Sequence, residues 1–370
     1  MLENKRILIA SGGTGGHFYP GFALAVELRA RGWQVLFLVK KDDIARPALE
    51  EADFPYAEAD MTALPRSVNP LAHASFFFKF FGSLALCRRI IADFKPEAVL
   101  GTGSYVAFPA VLAARLAGVK SYIHESNAKL GLGNRLAGSF CCKAALGLPI
   151  QDNPFSGKST LTGTPIREAF ASSPEVKAAR AALGLESGKF TVLMFGGSQG
   201  ARRLNAAILK SAVELKGAFQ LIHVAGRKNF EAVAAAYAAA GLDKAPGFKL
   251  FDYMEDMPAL YAAADLVISR SGAGTVAELA HLRKPAILSP LPTSAGNHQK
   301  FNAMVLASAG AAVCLDEGPD FDRALTAALK EFIGEPSRAA EMAKNFERTG
   351  IPDGLKAAGL LAELIEHNPA

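Results

Sequence analysis

Ile7-Leu8-Ile9-Ala10-Ser11-Gly12-Gly13-Thr14-Gly15-Gly16-His17 begins with an apolar run, turns through four glycines and leads into Phe22-Ala23-Leu24-Ala25-Val26-Glu27-Leu28. The run reads as a buried strand, the glycines as a tight turn and the last group as a helix. The pattern returns later in the chain. Thr191-Val192-Leu193-Met194-Phe195 leads into Gly196-Gly197-Ser198-Gln199-Gly200 and then Leu204-Asn205-Ala206-Ala207-Ile208-Leu209. A turn from strand to helix gathers backbone N–H groups and the positive end of a helix dipole at one point. That point suits a phosphate or a sugar hydroxyl. Two such units predict two similar α/β domains facing a shared cleft.

Further apolar runs alternate with helical patterns: Val35–Val39, Ala98–Leu100, Ser121–Ile123, Gln220–Val224, Leu266–Ile268 and Ala286–Leu288. Such alternation predicts parallel sheets covered by helices on both faces. The turn formers from Gln151 to Lys158, followed by Gly163-Thr164-Pro165, place the domain junction near residue 165. The expected domains are therefore 1–165 and 166–345. A C-terminal segment at about 346–370, with helical spacing from Leu355 to His367, is expected to pack back on the first.

At 370 residues, half of them apolar, the chain is long enough for two or three well-buried cores. Cys87, Cys141, Cys142 and Cys314 form no CxxC pair and no Cys/His cluster, so they read as thiols in a reducing compartment. Met1–Arg6 runs directly into the first strand, and no signal peptide is expected. The net charge of +5 falls entirely in the first half: residues 1–165 hold 18 Lys+Arg against 13 Asp+Glu, and residues 166–370 hold 22 of each. An anionic partner for the first half follows, either a membrane surface or a phosphorylated substrate. The excess is too small to argue for nucleic acid.

Neither glycine loop ends in Gly-Lys-Ser/Thr, which excludes a Walker loop. A dinucleotide site needs an acid closing the second strand to hold a ribose. That strand closes on Val39-Lys40, and Asp42 and Asp43 sit slightly late, so this reading is the weaker one. A third loop is more informative. Leu266-Val267-Ile268-Ser269-Arg270 enters Ser271-Gly272-Ala273-Gly274-Thr275 and then Val276-Ala277-Glu278. Glu278 lies about one turn into the helix, where a carboxylate can accept both ribose hydroxyls; the bland alternative is an acid stabilised by the helix dipole. Arg270, at a strand's carboxyl end, is placed to face a ligand crevice.

Over nearly its whole length the chain resembles the MurG family of peptidoglycan glycosyltransferases. The resemblance rests on Gly12–His17, Gly101-Thr102-Gly103-Ser104-Tyr105-Val106, His124-Glu125-Ser126-Asn127 and Gly163–Arg167. In the second half it rests on Gly196–Arg202, Arg270–Glu278, and His298-Gln299 with Asn302-Ala303. Ser126 and Asn297 depart from the family's usual Gln and Asp. The resemblance implies the two-domain glycosyltransferase-B fold. It also implies an inverting transfer of N-acetylglucosamine from its UDP donor to the C4 hydroxyl of lipid-linked, pyrophosphoryl N-acetylmuramoyl-pentapeptide.

On the donor side it implies Glu278 on the ribose, the backbone at Met254 on the uracil edge, and Ser198 at the diphosphate with Arg167 and Arg270 nearby. Asn127 and Gln299 would bond the transferred sugar, and Thr14, Gly15 and Gly16 complete the donor set with Ala273, Gly274, Thr275, Val276 and Ala277. On the acceptor side, Gly12, Gly13, Gly103, Ser104 and Tyr105 would meet the lipid-linked substrate. An alcohol needs a base to attack at neutral pH. His17 is the candidate, with Glu125 and His124 behind it as residues that read better as structural.

Asp320-Phe321-Asp322 has the spacing of a metal motif but opens a predicted helix and reads as a cap. No tightly bound cofactor is expected; a divalent ion carried by the substrate's phosphates stays open. The stretch Ala74–Leu86, with Phe76, Phe77, Lys79, Phe80 and Phe81 followed by Arg88-Arg89, is about 13 residues, too short to span a bilayer. Its aromatic and basic character predicts peripheral attachment to an anionic membrane, on the cytoplasmic face. Two other function classes stay open at this level: a sugar-nucleotide epimerase or hydrolase, and a non-catalytic nucleotide-sugar-binding module.

Overall fold

Ile7, Leu8 and Ile9 are fully buried. The strand they form, β1 (Arg6–Ala10), is paired in parallel on both edges, with β2 (Gln34–Lys40) and β4 (Ala98–Gly101). A central parallel strand covered on both faces has no polar side, which explains the unbroken apolar run. The computed structural model describes residues 5–62, 64–65, 69–197 and 201–367. The chain divides into two units, Met1–Ile166 with Ile351–Ala370, and Arg167–Gly350.

The first unit is a seven-stranded parallel sheet in the order β3-β2-β1-β4-β5-β6-β7. Its other strands are β3 (Tyr56–Ala59), β5 (Lys120–Glu125), β6 (Lys143–Leu146) and β7 (Ser159–Leu161). Its helices are α1 (Gly15–Ala30), α2 (Arg46–Glu51), α3 (Pro70–Phe94), α4 (Ala107–Leu116) and α5 (Leu132–Gly138). The second unit begins with α6 (Val176–Ala182), then β8 (Thr191–Phe195), α7 (Arg202–Glu214), β9 (Gln220–Val224), α8 (Phe230–Ala239) and β10 (Phe248–Phe251). It continues with α9 (Met257–Ala263), β11 (Leu266–Ser269), α10 (Ala273–Leu282), β12 (Ala286–Leu288) and α11 (His298–Ser308). It closes with β13 (Ala312–Cys314), α12 (Phe321–Gly334) and α13 (Ser337–Lys344). Its six strands run β10-β9-β8-β11-β12-β13, all parallel. In both sheets the strand order reverses beside the strand that feeds a glycine loop, β1 in one and β8 in the other. A ligand crevice opens at such a switch point.

The last helix, α14 (Ala357–Glu366), returns to the first unit. Leu361, Ala362 and Ile365 are buried in one cluster with Leu24, Leu28 and Phe37. Glu366 accepts from the Trp33 indole at 3.0 Å and from Arg31 at 2.7 Å, which holds its carboxyl below the ordinary range despite partial burial. The returning chain passes close to Gly163, whose φ of +82° favours glycine and where a Cβ would lie a tight 3.2 Å from Pro352.

Two local expectations are corrected. The Ala74–Leu86 stretch is the middle of α3, a 25-residue helix that is long and apolar enough to cross a membrane by length and composition. It is nevertheless part of the fold. Ser83, Cys87 and Ile91, at i, i+4 and i+8, form its buried face, and Phe80 stacks on Phe108 of α4 at 5.4 Å. Asp320 occupies the N-cap position of α12 without a capping side-chain bond; it pairs with Arg323 instead, and Asp322 pairs with Arg203 and Lys210.

Trp33 is the chain's one tryptophan, so its fluorescence reports the first unit. Replacing fully buried Leu361 with alanine is expected to destabilise that unit by about 2–5 kcal/mol. Urea unfolding followed through Trp33 checks this; a midpoint equal to wild type would mean α14 is not part of that core.

Candidate functional site

In the first unit, the loops leaving β1, β4 and β5 at their carboxyl ends lie against one another. The β1 loop turns through Gly12 and Gly13, at φ +120° and +80°, and reaches Thr14, which is extended and starts α1 without a side-chain cap. No acid lies in the first turn of α1. His17 is half-buried, and a Cβ on Gly103 of the β4 loop would lie 3.0 Å from its Nδ1. Gly103 is therefore glycine for two reasons: its φ of +94° and the ring packed on its backbone. Ser104 is buried beside it and Tyr105 is half exposed.

Glu125, at the end of β5, is 1% exposed yet carries a carboxylate. Its oxygens accept from the Asn127 N–H and side-chain amide (3.0 and 2.9 Å), the Gly131 N–H (2.9 Å) and Asn134 (3.0 Å). Four donors explain how a buried charge is tolerated. Glu125 shapes the loop that presents Asn127. His124 is fully buried with Nε2 3.1 Å from the Gly163 carbonyl, and burial pulls its pKa down. A neutral ring hydrogen-bonded to the backbone is a structural part. Both side chains are closed off from solvent, and His17 is the more accessible histidine of the two.

In the second unit, the carboxyl edge of β11 and the start of α10 carry the acid. The Glu278 side chain is 17% exposed and accepts from the Tyr261 hydroxyl at 2.9 Å; Arg167 stands 3.8 Å away. Burial raises the Glu278 pKa above the ordinary carboxylate value, against the opposing pull of Arg167 and Tyr261. Tyr261 is fully buried and its own pKa is pushed well up, by burial first and by the Glu278 charge. Glu278 lies in the second turn of α10, not the first, so helix-dipole capping is not its role. Arg167 also donates to the Glu255 carbonyl at 3.3 Å, which joins the loop carrying half-buried Met254 to the same cluster. Arg167, Met254 and Glu278, far apart in sequence, are therefore brought together.

Other expected residues fare differently. Ser198 lies outside the described residues. Ala273, Gly274 and Thr275 occupy the first turn of α10, where N–H groups have no helical acceptor. Val276 and Ala277, also expected on the donor, follow them in α10 and are buried, with the Val276 N–H donating to the Gly272 carbonyl at 2.9 Å. Arg270 is 8% exposed; it donates to the Ser289 carbonyl at 3.1 Å and its Nη2 lies 2.7 Å from Glu317. Its charge is already matched, and it ties the end of β11 to that of β12. The Gln299 side-chain oxygen accepts the Leu291 N–H at 2.9 Å, leaving its amide group to point elsewhere.

On α3, Phe77, Phe78 and Phe81 are 52%, 83% and 62% exposed, whereas Phe76 and Phe80 pack on the core. Lys79 is partly exposed and paired with Asp60 at 2.8 Å, while Arg88 and Arg89 are exposed, Arg89 lying 3.6 Å from Asp93. Among the described residues, no group of three or more His, Cys, Asp or Glu could hold a metal. Sequence reasoning missed Tyr261 and Glu317, which sit in ordinary helix and loop patterns. Phe78 was hidden in its own apolar run.

Comparison with known proteins bears on these units. Residues 7–146 match the glycosyltransferase family 28 N-terminal domain, and residues 191–357 match its C-terminal domain. A UDP-N-acetylglucosamine--N-acetylmuramyl-(pentapeptide) pyrophosphoryl-undecaprenol N-acetylglucosamine transferase of Elusimicrobium minutum is 41% identical over 369 residues, 98% of this chain and 99% of that one. Its namesake in Halothermothrix orenii is 36% identical, covering 98% of each. The crystal structure of Acinetobacter baumannii MurG matches with a TM-score of 0.81 at 28% identity, over 98% of this chain and all of that one. The fold is accordingly of the glycosyltransferase-B type, and the chain is an enzyme that belongs to the MurG family of glycosyltransferases.

Proposed function

We propose that this chain transfers N-acetylglucosamine from UDP-N-acetylglucosamine to the C4 hydroxyl of undecaprenyl-pyrophosphoryl N-acetylmuramoyl-pentapeptide. The observation that carries the reading is Glu278, a carboxylate oriented by Tyr261 beside the open amides of α10. An acceptor pair of this kind fits a ribose diol, with the diphosphate on the Ala273–Thr275 N–H groups. Met254 lies where a uracil edge meets backbone, and Arg167 adds charge near the phosphates. The names of the full-length relatives support the same donor and acceptor.

The reaction is a displacement at the anomeric carbon with inversion. His17 accepts the proton of the acceptor C4 hydroxyl as its oxygen forms the new β-linkage. The bond to the UDP oxygen breaks, and the charge that gathers there is met by helix-start amides and Arg167. Any divalent ion travels with the substrate's phosphates. Asn127 and Gln299 take hydroxyls of the transferred sugar. Thr14, Gly15 and Gly16 provide the amides at the start of α1, and Gly12, Gly13, Gly103, Ser104 and Tyr105 line the acceptor's approach. Peripheral attachment to the cytoplasmic face of the membrane is carried by Phe77, Phe78 and Phe81, with Arg88 and Arg89 on anionic headgroups.

Transfer of labelled N-acetylglucosamine to a short-chain acceptor analogue tests the reading. His17→Ala is expected to lower kcat by about 10²–10⁴-fold, and Glu278→Ala to raise the donor KM. Wild-type protein that binds UDP but makes no disaccharide would move the assignment to the epimerase or binding-module class.

The ribose hydroxyls donate to ionised Glu278, so UDP affinity falls as pH drops through its raised pKa, earlier than for an ordinary glutamate. Tyr261→Phe removes a bond that favours the ionised form and moves the fall to higher pH. Calorimetric titration of UDP across pH checks both; an affinity flat into the ordinary glutamate range would exclude Glu278 from the ribose.

Sedimentation with phosphatidylglycerol vesicles tests the attachment. Replacing Phe77, Phe78 and Phe81 together with serine is expected to lower the bound fraction at least tenfold, since each ring withdrawn from lipid forfeits roughly 1.5–3 kcal/mol. Unchanged binding would place the contact elsewhere.

A further inference from the structure

Asp43 is a carboxylate for which the chemistry above has no use. It follows β2, near the place where a dinucleotide-binding sheet presents its ribose acid. Here it is 6% exposed and turned inward. Its Oδ2 accepts the Gly13 N–H at 2.7 Å and its Oδ1 accepts the Ala45 N–H at 3.0 Å. The second bond shapes the turn into α2. The first crosses to the glycine loop. A Cβ on Gly12 would lie 2.6 Å from Oδ2, so the loop and the carboxylate are in direct contact and Gly12 has no room for a side chain.

The other end of the loop is held separately. Ser11, fully buried, donates its hydroxyl to the His17 carbonyl at 3.0 Å and receives the Thr102 hydroxyl at 3.0 Å. The path from Gly13 to His17 is thus fixed at both ends, with Thr14 and Gly16 exposed between them. A negative charge this close to an anion-binding loop opposes an incoming phosphate. The arrangement also withdraws the Gly13 N–H from any ligand. Both effects work against binding, so what the contact gives in return is geometry: two adjacent glycines, each free to take many backbone shapes, are held in one.

We propose that Asp43 is a positioning residue for the acceptor, holding the Gly12–Gly13 turn so that the His17 ring faces the acceptor's hydroxyl. The proposal rests on the transferase reading above. It also accounts for the late placement of the acid after β2: its partner is the loop's own backbone instead of a ribose.

The test uses the full chain carrying Asp43→Ala or Asp43→Asn, with donor and acceptor varied separately. Asp43→Ala is expected to lower acceptor kcat/KM by about 10–100-fold, the scale of a small misplacement of reacting groups, with donor KM within about twofold of wild type. Asp43→Asn is expected to recover part of the loss, because its amide oxygen still accepts from Gly13 while its NH₂ opposes Ala45. Thermal unfolding confirms that each variant is folded. A folded Asp43→Ala with wild-type acceptor kcat/KM, or one whose donor KM rises as much as its acceptor KM, would overturn the proposal. Should Asp43→Ala not fold, Asp43→Asn decides by the same split between substrates. Amide exchange at Gly13, followed by NMR, is independent of activity. Protection lost in the variant supports the clamp even if wild type makes no product, in which case the transferase reading alone fails; protection unchanged by the variant refutes the clamp.

Discussion

Everything in this molecule depends on what happens to backbone N–H groups where a parallel strand gives way to a helix. A helix leaves its first N–H groups without acceptors. A parallel sheet brings several such starts to one edge, and a reversal in strand order separates the flanking helices there. In the first unit the reversal lies beside β1 and in the second beside β8. Glycine follows both strands, and Gly12, Gly13 and Gly197 take the positive φ that such a turn needs.

The two units complete this common plan with opposite chemistry. In the second, the added group is a carboxylate behind the helix start, Glu278, whose burial cost is offset only in part by Tyr261 and Arg167. In the first, carboxylates are turned away from the ligand and onto the chain. Glu125 organises the loop bearing Asn127, and Asp43 meets the Gly13 N–H. The ring left beside the open donors is His17, a group suited to moving a proton rather than holding a sugar.

Much of this was legible in the sequence because it is local. Strand, turn and helix are adjacent in the chain, and the apolar runs of β1 and β8 are long enough to announce full burial. Glu278 and Arg167 were readable through the ordered motifs of the family. What escaped depends on contacts between distant segments. Tyr261 meets Glu278 only because α9 and α10 fold together, and Arg270 is paired with Glu317, forty-odd positions on. The aromatic run of α3 could be recognised, but which rings face outward follows from the helix's packing on α4. Phe78 proves more exposed than Phe76 or Phe80. Lys79, which reads as a lipid-facing cation, is claimed by Asp60.

The path of the chain through the two units has a consequence for synthesis. The second unit is contiguous, Arg167–Gly350, whereas the first is assembled from both sides of it. As the chain emerges from a ribosome, the second unit holds all of its sequence while the first still lacks α14, the helix that covers Leu24, Leu28 and Phe37. A nascent chain stalled just short of Ala357 would therefore carry one finished unit and one with an open apolar face. That incomplete unit is where a chaperone would be needed, and the arrival of Leu361 and Ile365 closes it.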